Sequence, residues 1–188
     1  MRLFIAINID SSLRDSLAAL QVRLRQAEAP VRWVKPDHLH FTLKFLGPVP
    51  EARLAALREA LRSSLAGVTS FPLSLERLGT FPPKGRPRVV WVGVGAGAGE
   101  MAGIRERIDT TLLPLGFPRE GRPFQPHLTL GRVKEAGRVD RLLEELRTVP
   151  IGEIRRMQVP SVELMHSQLH PAGAVHTVID AVPLVGAT

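Results

Sequence analysis

One short pattern occurs twice in this chain, as His40-Phe41-Thr42-Leu43 and, 87 positions later, as His127-Leu128-Thr129-Leu130. Alternate residues of a β-strand point to the same face, so each predicted strand presents one imidazole and one hydroxyl together. The residues between them are apolar and are expected to point into the core. Because the chain has only 6 His, two matched copies indicate a paired site rather than chance.

The segments around the two copies follow the same order. An apolar strand over 3–7 and a helix with leucines at helical spacing precede the first copy. A strand over 89–94 and a second helix whose apolar residues also fall at helical spacing precede the second copy, and another helix follows each copy. We expect Ser11 or Ser12 to be the N-cap of the first helix, since serine is a residue type that caps helices.

The duplication also holds in register. A shift of 87 positions moves Ser74-Leu75-Glu76 onto Ser161-Val162-Glu163 without a gap. A repeat of this length is too long for a solenoid and predicts two related lobes, with repeat units 2–80 and 88–167, inside a single domain over 1–188. We therefore predict an α+β fold. It is bilobal and pseudo-twofold, with two antiparallel-rich sheets facing a central cleft and helices on the outside.

Composition narrows the class of protein. The chain has 188 residues, 44% of them hydrophobic, and no Cys. This length suits one globular domain, and the lack of Cys excludes disulfides, thiolate zinc sites and cysteine nucleophiles. No apolar run reaches the roughly 20 residues that cross a bilayer. We expect a soluble, unprocessed, cytoplasmic protein that does not associate with membranes and is a monomer.

The chain is strongly basic. Lys and Arg number 25 against 18 acids, a formal net charge of +7. An excess of this kind favours an anionic partner such as RNA. The many Arg, Ala, Gly and Pro residues are also what a GC-rich genome encodes whatever the function, so the charge alone does not identify the partner.

The paired pattern points to acid–base chemistry at a phosphate. Unperturbed imidazole titrates near about 6.5, so one histidine accepts a proton while the other donates one. Hydroxyls of Thr42 and Thr129 are donors suited to the non-bridging oxygens of a phosphate. A ribose 2′,3′-cyclic phosphate fits this arrangement, since attack by water needs a base and the departing ribose oxygen needs an acid. No metal is required.

These residues resemble the two-histidine phosphoesterases, in particular the bacterial 2′-5′ RNA ligase-like branch, also called RNA 2′,3′-cyclic phosphodiesterases. The resemblance covers nearly the whole chain. It rests on the opening Arg2-Leu3-Phe4-Ile5-Ala6 and on the segments 40–47 and 124–132. It implies a bilobal α+β fold, hydrolysis of the cyclic phosphate on RNA ends or nucleotides to a 2′-phosphate, and reversible joining of RNA ends through a 2′-5′ linkage.

The resemblance also implies roles for individual residues. His40 is the implied proton donor, His127 the acceptor, and Arg132 a phosphate-binding residue. The pseudo-symmetry leaves the two proton-transfer roles exchangeable. The family usually has a Tyr in its final strand, whereas this chain has His176 at the corresponding position, a departure that concerns the contacts with the end of the substrate.

Two cofactor hypotheses fail on the sequence. His38 and His40 form a His-x-His pair, but the second lobe has Gln125 at the position equivalent to His38 and no acidic third ligand is evident. The glycine-rich stretch 93–99 does not contain Gly-x-Gly-x-x-Gly in any frame. We predict no cofactor and no metal.

Other residues keep two interpretations. Trp33 and Phe124 either stack on a nucleobase or pack in the core. His166, His170 and His176 are expected to be solvated rather than catalytic.

The rival function is a non-catalytic basic RNA-binding module, with salt-sensitive affinity that survives substitution of either motif histidine.

Overall fold

The fold is described by a computed structural model for residues 1–135, 137–150, 156–170 and 173–187. Within these ranges the chain forms ten strands and four α-helices, which confirms the α+β class. The strands are β1 (Arg2–Asn8), β2 (Val31–Trp33), β3 (His40–Pro48), β4 (Phe71–Leu73), β5 (Leu75–Phe81), β6 (Val89–Val94), β7 (His127–Val133), β8 (Met157–Val159), β9 (Ser161–His170) and β10 (Gly173–Pro183). The helices are α1 (Ser11–Arg25), α2 (Leu54–Leu65), α3 (Ala98–Leu112) and α4 (Asp140–Thr148).

Eight strands form one antiparallel sheet in the order β10-β9-β1-β3-β7-β6-β5, with β2 beside β7. A separate two-stranded sheet pairs β4 with β8. The two motif strands, β3 and β7, are neighbours at the centre, where they are joined by the single pair Phe41 and Leu128. We call the strands β10, β9, β1 and β3 the His40 half, and β7, β6, β5 and β2 the His127 half.

The prediction of two separate sheets differs from this arrangement. The two halves form one continuous sheet, because Phe41 near the start of β3 pairs with Leu128 near the start of β7. Apart from that one pair, β3 pairs along its length with β1, and β7 pairs with β6. The motif strands therefore meet side by side in one sheet instead of belonging to two sheets that face each other.

Element positions follow the 87-residue offset closely. The shift carries α1 onto the bounds of α3, the start of β1 onto the start of β6, and the start of β3 onto the start of β7. The last strand of each repeat unit joins the other half, because β5 pairs with β6 and β9 pairs with β1. The two-lobe organisation, with units 2–80 and 88–167, is our proposal, and this correspondence supports it.

Apolar helix faces and the apolar motif residues build the core. Leu13, Leu17 and Leu24 of α1 are fully buried, as their helical spacing predicts. Phe41 and Leu128 are also fully buried, which confirms that the residues between His and Thr point inward. Among the described helices, none combines the length and the hydropathy needed to span a membrane.

The predicted cap of α1 was wrong by one or two residues. Asp10 is the N-cap, and its Oδ1 accepts a hydrogen bond of 2.7 Å from the Leu13 amide. The helix begins at Ser11, so the carboxylate of Asp10 stands where it satisfies a free amide of the first turn.

Candidate active site

The four motif side chains share one face of the sheet. Phe41 and Leu128 are directly opposite each other and buried, so their neighbours on both strands project from the other face. The neighbours of this pair along the two strands are His40 and Thr42 on β3 and His127 and Thr129 on β7. All four are half-buried. The structure thus brings both imidazoles and both hydroxyls together at the centre of the sheet.

Arg132 joins this face because of a β-bulge. Simple alternation from His127 would point Arg132 to the core side, since it lies an odd number of residues away. Pairing between β6 and β7 shifts register between Val90 and Trp91, so one extra residue of β7 is accommodated after Thr129. As a result Arg132 is exposed on the same face as the motif residues.

A second cation stands beside Arg132. The Cα partner of Arg132 on β2 is Arg32, and directly opposed residues project from the same face. Both side chains are exposed, and the ion pairs found in the described part of the chain include neither of them. Two exposed guanidinium groups on the same face of the sheet as the imidazoles make this part of the surface attractive to a phosphate.

Both histidines are held in the same tautomer. His40 Nδ1 lies 2.8 Å from the carbonyl oxygen of His38, and His127 Nδ1 lies 2.7 Å from that of Gln125. A carbonyl oxygen only accepts hydrogen bonds, so Nδ1 carries the hydrogen in each ring. This leaves both Nε2 atoms free to gain or lose a proton. His38 and Gln125, which correspond in the repeat, therefore do the same thing through their backbones: the carbonyl oxygen of each accepts the Nδ1 hydrogen of the motif histidine.

His40 sits among other rings. Its centroid is 5.0 Å from that of Phe4 and 5.3 Å from that of His176. Burial lowers the pKa of His40 from 6.5 to about 4, against the opposing effect of its hydrogen bond to His38, and the charges of His176 and His38 lower it further. In the free protein His40 is therefore neutral at pH 7.

His176 is not simply solvated, as the sequence had suggested. It lies on the edge strand β10, but its ring is half-buried and contacts His40, Phe4 and His38 at centroid distances of 5.1 to 5.6 Å. Its Nδ1 is buried without a hydrogen-bond partner in the described structure. Burial lowers the pKa of His176, and the charge of His38 acts in the same direction.

The other two histidines of this group belong to β9. His166 follows Met165, which packs with Phe4, so alternation places His166 on the opposite face of the sheet from these rings. His170 is the last residue of the same strand.

Aromatic rings surround His127. Phe81 contacts the imidazole edge-on at 5.0 Å between centroids, and Trp91 lies 6.3 Å away. Phe81 and Trp91 stack on each other with centroids 5.1 Å apart. Together with Phe124 and Gln125 these residues line a pocket of about 210 Å³ that opens beside His127.

A slightly larger depression, of about 240 Å³, lies between α2 and α3. Its lining includes Ser63, Glu106 and Thr110 but no imidazole. We take the pocket beside His127 as the functional one, because it alone of the two is continuous with a motif residue.

A buried ion network lies on the opposite side of β3. Lys44 is 2% exposed and forms an ion pair with Asp109, which also accepts a 2.8 Å hydrogen bond from Arg105. Arg105 in turn donates to the carbonyl oxygen of Leu43. Two cations share one carboxylate here, so each group of this network depends on the others for neutralisation.

The same network fastens the loop that leads into β7. Lys44 Nζ donates to the carbonyl oxygen of Pro118 at 2.7 Å, and Arg105 lies 3.7 Å from Glu120. The guanidinium of Arg105 also covers the ring of Phe124 at 5.5 Å. The first motif strand therefore helps position the segment that precedes His127.

No metal centre is evident in the part of the chain that the structure describes. Within those residues, no group of three or more His, Asp, Glu or Cys side chains has the arrangement that a metal ion needs. His38, His40 and His176 are close, but they contact one another through ring faces and edges.

Trp33 and Phe124 both pack against the core, and Phe124 also lines a pocket. Trp33 packs against the core, and Arg25 lies over its ring at 5.8 Å. Phe124 is half-buried and lines the pocket beside His127. Trp91 and Phe81, which the sequence analysis did not single out, are the rings that contact His127. The one available signal was alternation along β6, which places Trp91 on the same face as Val89 and Gly93.

Two histidine-threonine strands that share one face, each imidazole presenting a free Nε2, define a class of acid–base site suited to phosphate chemistry. The chain belongs to the 2′-5′ RNA ligase superfamily, whose sequence profile matches residues 9–170. The resemblance inferred from the motifs is thereby confirmed.

Individual relatives agree with this family. The RNA 2′,3′-cyclic phosphodiesterase of Methanothermobacter thermautotrophicus is 37% identical over 177 residues, which are 94% of this chain and 95% of that protein. The protein of the same name from Aeropyrum pernix is 38% identical over 164 residues, 87% of this chain and 88% of that protein.

Solved structures show the same fold over the full length. TT0787 of Thermus thermophilus superposes with a TM-score of 0.84 at 28% identity and covers 100% of both chains. E. coli LigT complexed with 3′-AMP superposes with a TM-score of 0.80 at 26% identity and covers 98% of each chain.

Proposed function

We propose that this protein is an RNA 2′,3′-cyclic phosphodiesterase that opens the cyclic phosphate to a 2′-phosphate. The observation that carries the proposal is the meeting of His40, Thr42, His127 and Thr129 on one face of the sheet. Each imidazole has its Nδ1 committed to a carbonyl oxygen. The names of the relatives support the same reaction.

The reaction balances with two imidazoles. One neutral Nε2 takes a proton from the attacking water as its oxygen bonds to phosphorus. The bond from phosphorus to the ribose 3′ oxygen breaks, and the other, protonated Nε2 gives its proton to that oxygen. The product is a 2′-phosphate with a free 3′-hydroxyl. The two rings then hold exchanged protonation states, which solvent resets before the next turnover.

Charge on the phosphate is balanced by donors. Hydroxyls of Thr42 and Thr129 donate to the non-bridging oxygens, which carry the negative charge in the transition state. Arg132 supplies a positive charge from the bulged end of β7, and Arg32 adds to the field. These donors stand on strands of a packed sheet, so they are already oriented when substrate binds.

Family resemblance assigns the donor role to His40 and the acceptor role to His127, and we adopt this as part of the proposal. A donor role for His40 requires that the bound phosphate raise its pKa, since burial lowers it to about 4 in the free protein. An anionic oxygen beside Nε2 acts in that direction, because an opposite charge favours the protonated ring.

The same site also supports reversible joining of RNA ends. A 5′-hydroxyl takes the place of water, attacks the cyclic phosphate, and the 3′ oxygen leaves as before. The product is a 2′-5′ linkage, and the reverse reaction cleaves it to a cyclic phosphate and a 5′-hydroxyl. The name of the superfamily supports this second activity.

The proposal is tested by a product assay. The protein is incubated with adenosine 2′,3′-cyclic phosphate, with or without an RNA carrying a 5′-hydroxyl, and products are separated by chromatography against 2′-AMP and 3′-AMP standards. We expect 2′-AMP, and a 2′-5′ linked product when the RNA acceptor is present. His40→Ala and His127→Ala are each expected to lower kcat by at least about a hundredfold.

His166→Ala is the matched control, because it removes an imidazole from β9 at a position outside the motif face. It is expected to keep normal activity. A chelator is expected to change nothing, in keeping with the metal-independent mechanism. Normal turnover in either motif variant refutes the mechanism. RNA binding that survives both substitutions, together with no turnover by the natural protein, would instead support the RNA-binding module.

Three further expectations stay predictions. They are the cytoplasmic location, the monomeric state, and RNA ends as the natural form of the substrate. Light scattering on the purified protein measures the second, and competition between a cyclic-phosphate-ended RNA and the free nucleotide measures the third.

A further inference from the structure

We propose that Arg105 is a positioning residue for His127. Arg105 holds the segment 117–126 in place, and the backbone of Gln125 in this segment keeps the hydrogen of the His127 ring on Nδ1. The inference rests on the proposed function, because a free Nε2 matters for the reaction only if His127 exchanges a proton there. It adds a buried residue of α3 that is not one of the motif side chains.

The segment 117–126 leads into β7 without a helix or a strand of its own. The backbone hydrogen bonds found in the described part of the chain include one from the Phe117 amide and none that involves residues 118–126. The carbonyl oxygen of Gln125 is nevertheless the acceptor, at 2.7 Å, for Nδ1 of His127. The position of this carbonyl therefore depends on side chains that hold the segment.

The corresponding carbonyl in the His40 half has support from its own backbone. The 87-residue offset relates residues 36–38 to residues 123–125. Residues 36–38 form a turn of 3-10 helix, in which the His38 amide donates to the carbonyl oxygen of Lys35 at 2.9 Å. Residues 123–125 form no such turn. The carbonyl that orients His127 therefore needs a support from elsewhere in the fold.

Arg105 supplies this support, because each nitrogen of its guanidinium faces a different part of the chain. Nε donates to Asp109 on the same helix at 2.8 Å, and Nη1 donates to the carbonyl oxygen of Leu43 on β3. Nη2 lies 3.7 Å from a carboxylate oxygen of Glu120 in the segment. The guanidinium also lies 5.5 Å from the ring centroid of Phe124, one residue before the carbonyl in question.

The shape of the guanidinium makes these contacts a fixed spacer. Arg105 is 6% exposed, so its hydrogen bonds are made away from water. A guanidinium is planar and presents its donors in a rigid fork. One edge of this fork binds the first motif strand, and the plane covers a ring next to the second motif strand. One side chain thus sets the distance between β3 and the carbonyl behind His127.

The tautomer of His127 decides whether the ring can act as the base. A neutral imidazole carries one hydrogen, and the hydrogen bond made by one ring nitrogen determines where that hydrogen lies. With the Gln125 carbonyl in place, Nε2 is free to take a proton from water. If the carbonyl moves away, part of the protein carries the hydrogen on Nε2, and that form cannot accept a proton there.

The test measures the tautomers directly, without substrate. Nitrogen-15 NMR of the labelled protein at pH 8.5 distinguishes a ring nitrogen that carries hydrogen from one that does not, and the His40→Ala and His127→Ala variants assign the signals. In the natural protein we expect hydrogen on Nδ1 of both rings. In Arg105→Leu we expect the tautomer ratio of His127 to shift about fivefold toward Nε2, the value of one hydrogen bond, while His40 keeps its tautomer.

Kinetics give a second reading of the same variant. Arg105→Leu is expected to lower kcat for adenosine 2′,3′-cyclic phosphate about tenfold and to leave KM within about twofold of its natural value. The reason is that the ring of His127 is both less well placed and partly in the wrong tautomer, whereas the groups that bind the phosphate stand on strands and stay where they are.

Lys44→Met is the matched control, because it removes the other cation of the buried network and leaves Arg105 paired with Asp109. Lys44 contacts the segment only at Pro118, far from the carbonyl that orients His127. We expect both tautomers to stay as in the natural protein. Urea denaturation of each variant measures how much stability is lost.

A further variant leaves all ion pairs of the network intact. Phe124→Leu removes the aromatic ring that the guanidinium covers and keeps an apolar side chain at that position. It is expected to shift the tautomer ratio of His127 in the same direction as Arg105→Leu. The test therefore does not depend on whether Arg105→Leu folds.

The outcomes separate this inference from the function on which it rests. Unchanged tautomers in Arg105→Leu and Phe124→Leu overturn the positioning role. Equal shifts at His40 and His127, or equal shifts in Arg105→Leu and Lys44→Met, show a general loosening of the fold and overturn it too. Failure of the natural protein to open the cyclic phosphate overturns the proposed function and leaves the tautomer measurement standing.

Discussion

The pH dependence of kcat/KM is the sharpest consequence of the environment of His40. Burial against Phe4 and His176 lowers the pKa of His40 from 6.5 to about 4. The difference of about 2.5 pH units corresponds to roughly 3 kcal/mol between the two protonation states. We therefore expect kcat/KM to keep its plateau down to about pH 5 and to fall tenfold per unit below about pH 4.

This expectation does not depend on which histidine donates. The rate follows the population of the form in which one ring is protonated and the other neutral. With either assignment the lower of the two free-enzyme pKa values sets the acidic limb of the profile, and exchanging the roles changes only its height. An unperturbed imidazole with a pKa of about 6.5 would already leave roughly a tenth of the activity at pH 5.5.

The assay is hydrolysis of adenosine 2′,3′-cyclic phosphate at substrate concentrations well below KM, from pH 3.5 to 8, at constant ionic strength. Far-ultraviolet circular dichroism at each pH verifies that the protein is folded. His176→Ala admits water to His40 and removes a neighbouring charge, so the acidic limb is expected to rise by about one unit. His176→Phe keeps the ring burial and serves as the control, with a limb that stays low.

A natural protein whose acidic limb lies near pH 6.5, while circular dichroism reports a folded chain, refutes the reasoning about His40. The same conclusion follows if His176→Ala leaves the acidic limb of the profile where it was.

The folding stability of the protein has a related dependence on pH. Because the pKa of His40 is lower in the folded state than in the unfolded state, its contribution is complete above about pH 6.5 and is lost as the pH falls toward about 4.

Three further predictions concern stability and packing. Asp109→Asn leaves the buried Lys44 without an acidic partner and Arg105 with only the more exposed Glu120 at 3.7 Å, and it is expected to lower the free energy of unfolding by about 3–5 kcal/mol, measured by urea denaturation; a loss below about 1 kcal/mol would contradict the network. Gly79→Ala brings a Cβ into the indole of Trp91 and is expected to cost about 1–3 kcal/mol, with the change in Trp91 fluorescence that a displaced ring gives, and unchanged fluorescence argues against it. Burial raises the pKa of Glu163, so ionising it opposes folding: the natural protein should lose stability relative to Glu163→Gln as the pH rises above about 4.5, and parallel stability curves would show that the carboxyl is not desolvated.

Much of the site could be predicted because its pattern is local. Alternation along a strand places His40 with Thr42 and His127 with Thr129, whatever the rest of the chain does. The same alternation predicts that Phe41, which stands between His40 and Thr42, points into the core, where it is fully buried. Helical spacing identified the buried faces of α1 and α2 for the same reason, since a periodicity of 3.6 residues is visible in any short window.

Other parts of the site depend on contacts between distant residues. His176 comes to His40 only because β10 is the outermost strand beside β9, and nothing in its neighbouring residues indicates this. The partner of Lys44 is Asp109, which is 65 positions away and stands on the buried face of α3 beside Arg105. Sequence alternation gives no information on either pairing.

By itself, the sequence determined the two histidine-threonine strands, the repeated order of elements around them, and the family to which they belong. Only the tertiary structure decided that the halves are unequal, with an aromatic pocket beside His127 and a buried, imidazole-rich wall beside His40. It also decided that Arg132 lies on the same face as the motif residues, because a bulge reverses the alternation just before it. The reason is physical: alternation is a property of one strand, whereas bulges, neighbours and burial are set by how strands pair.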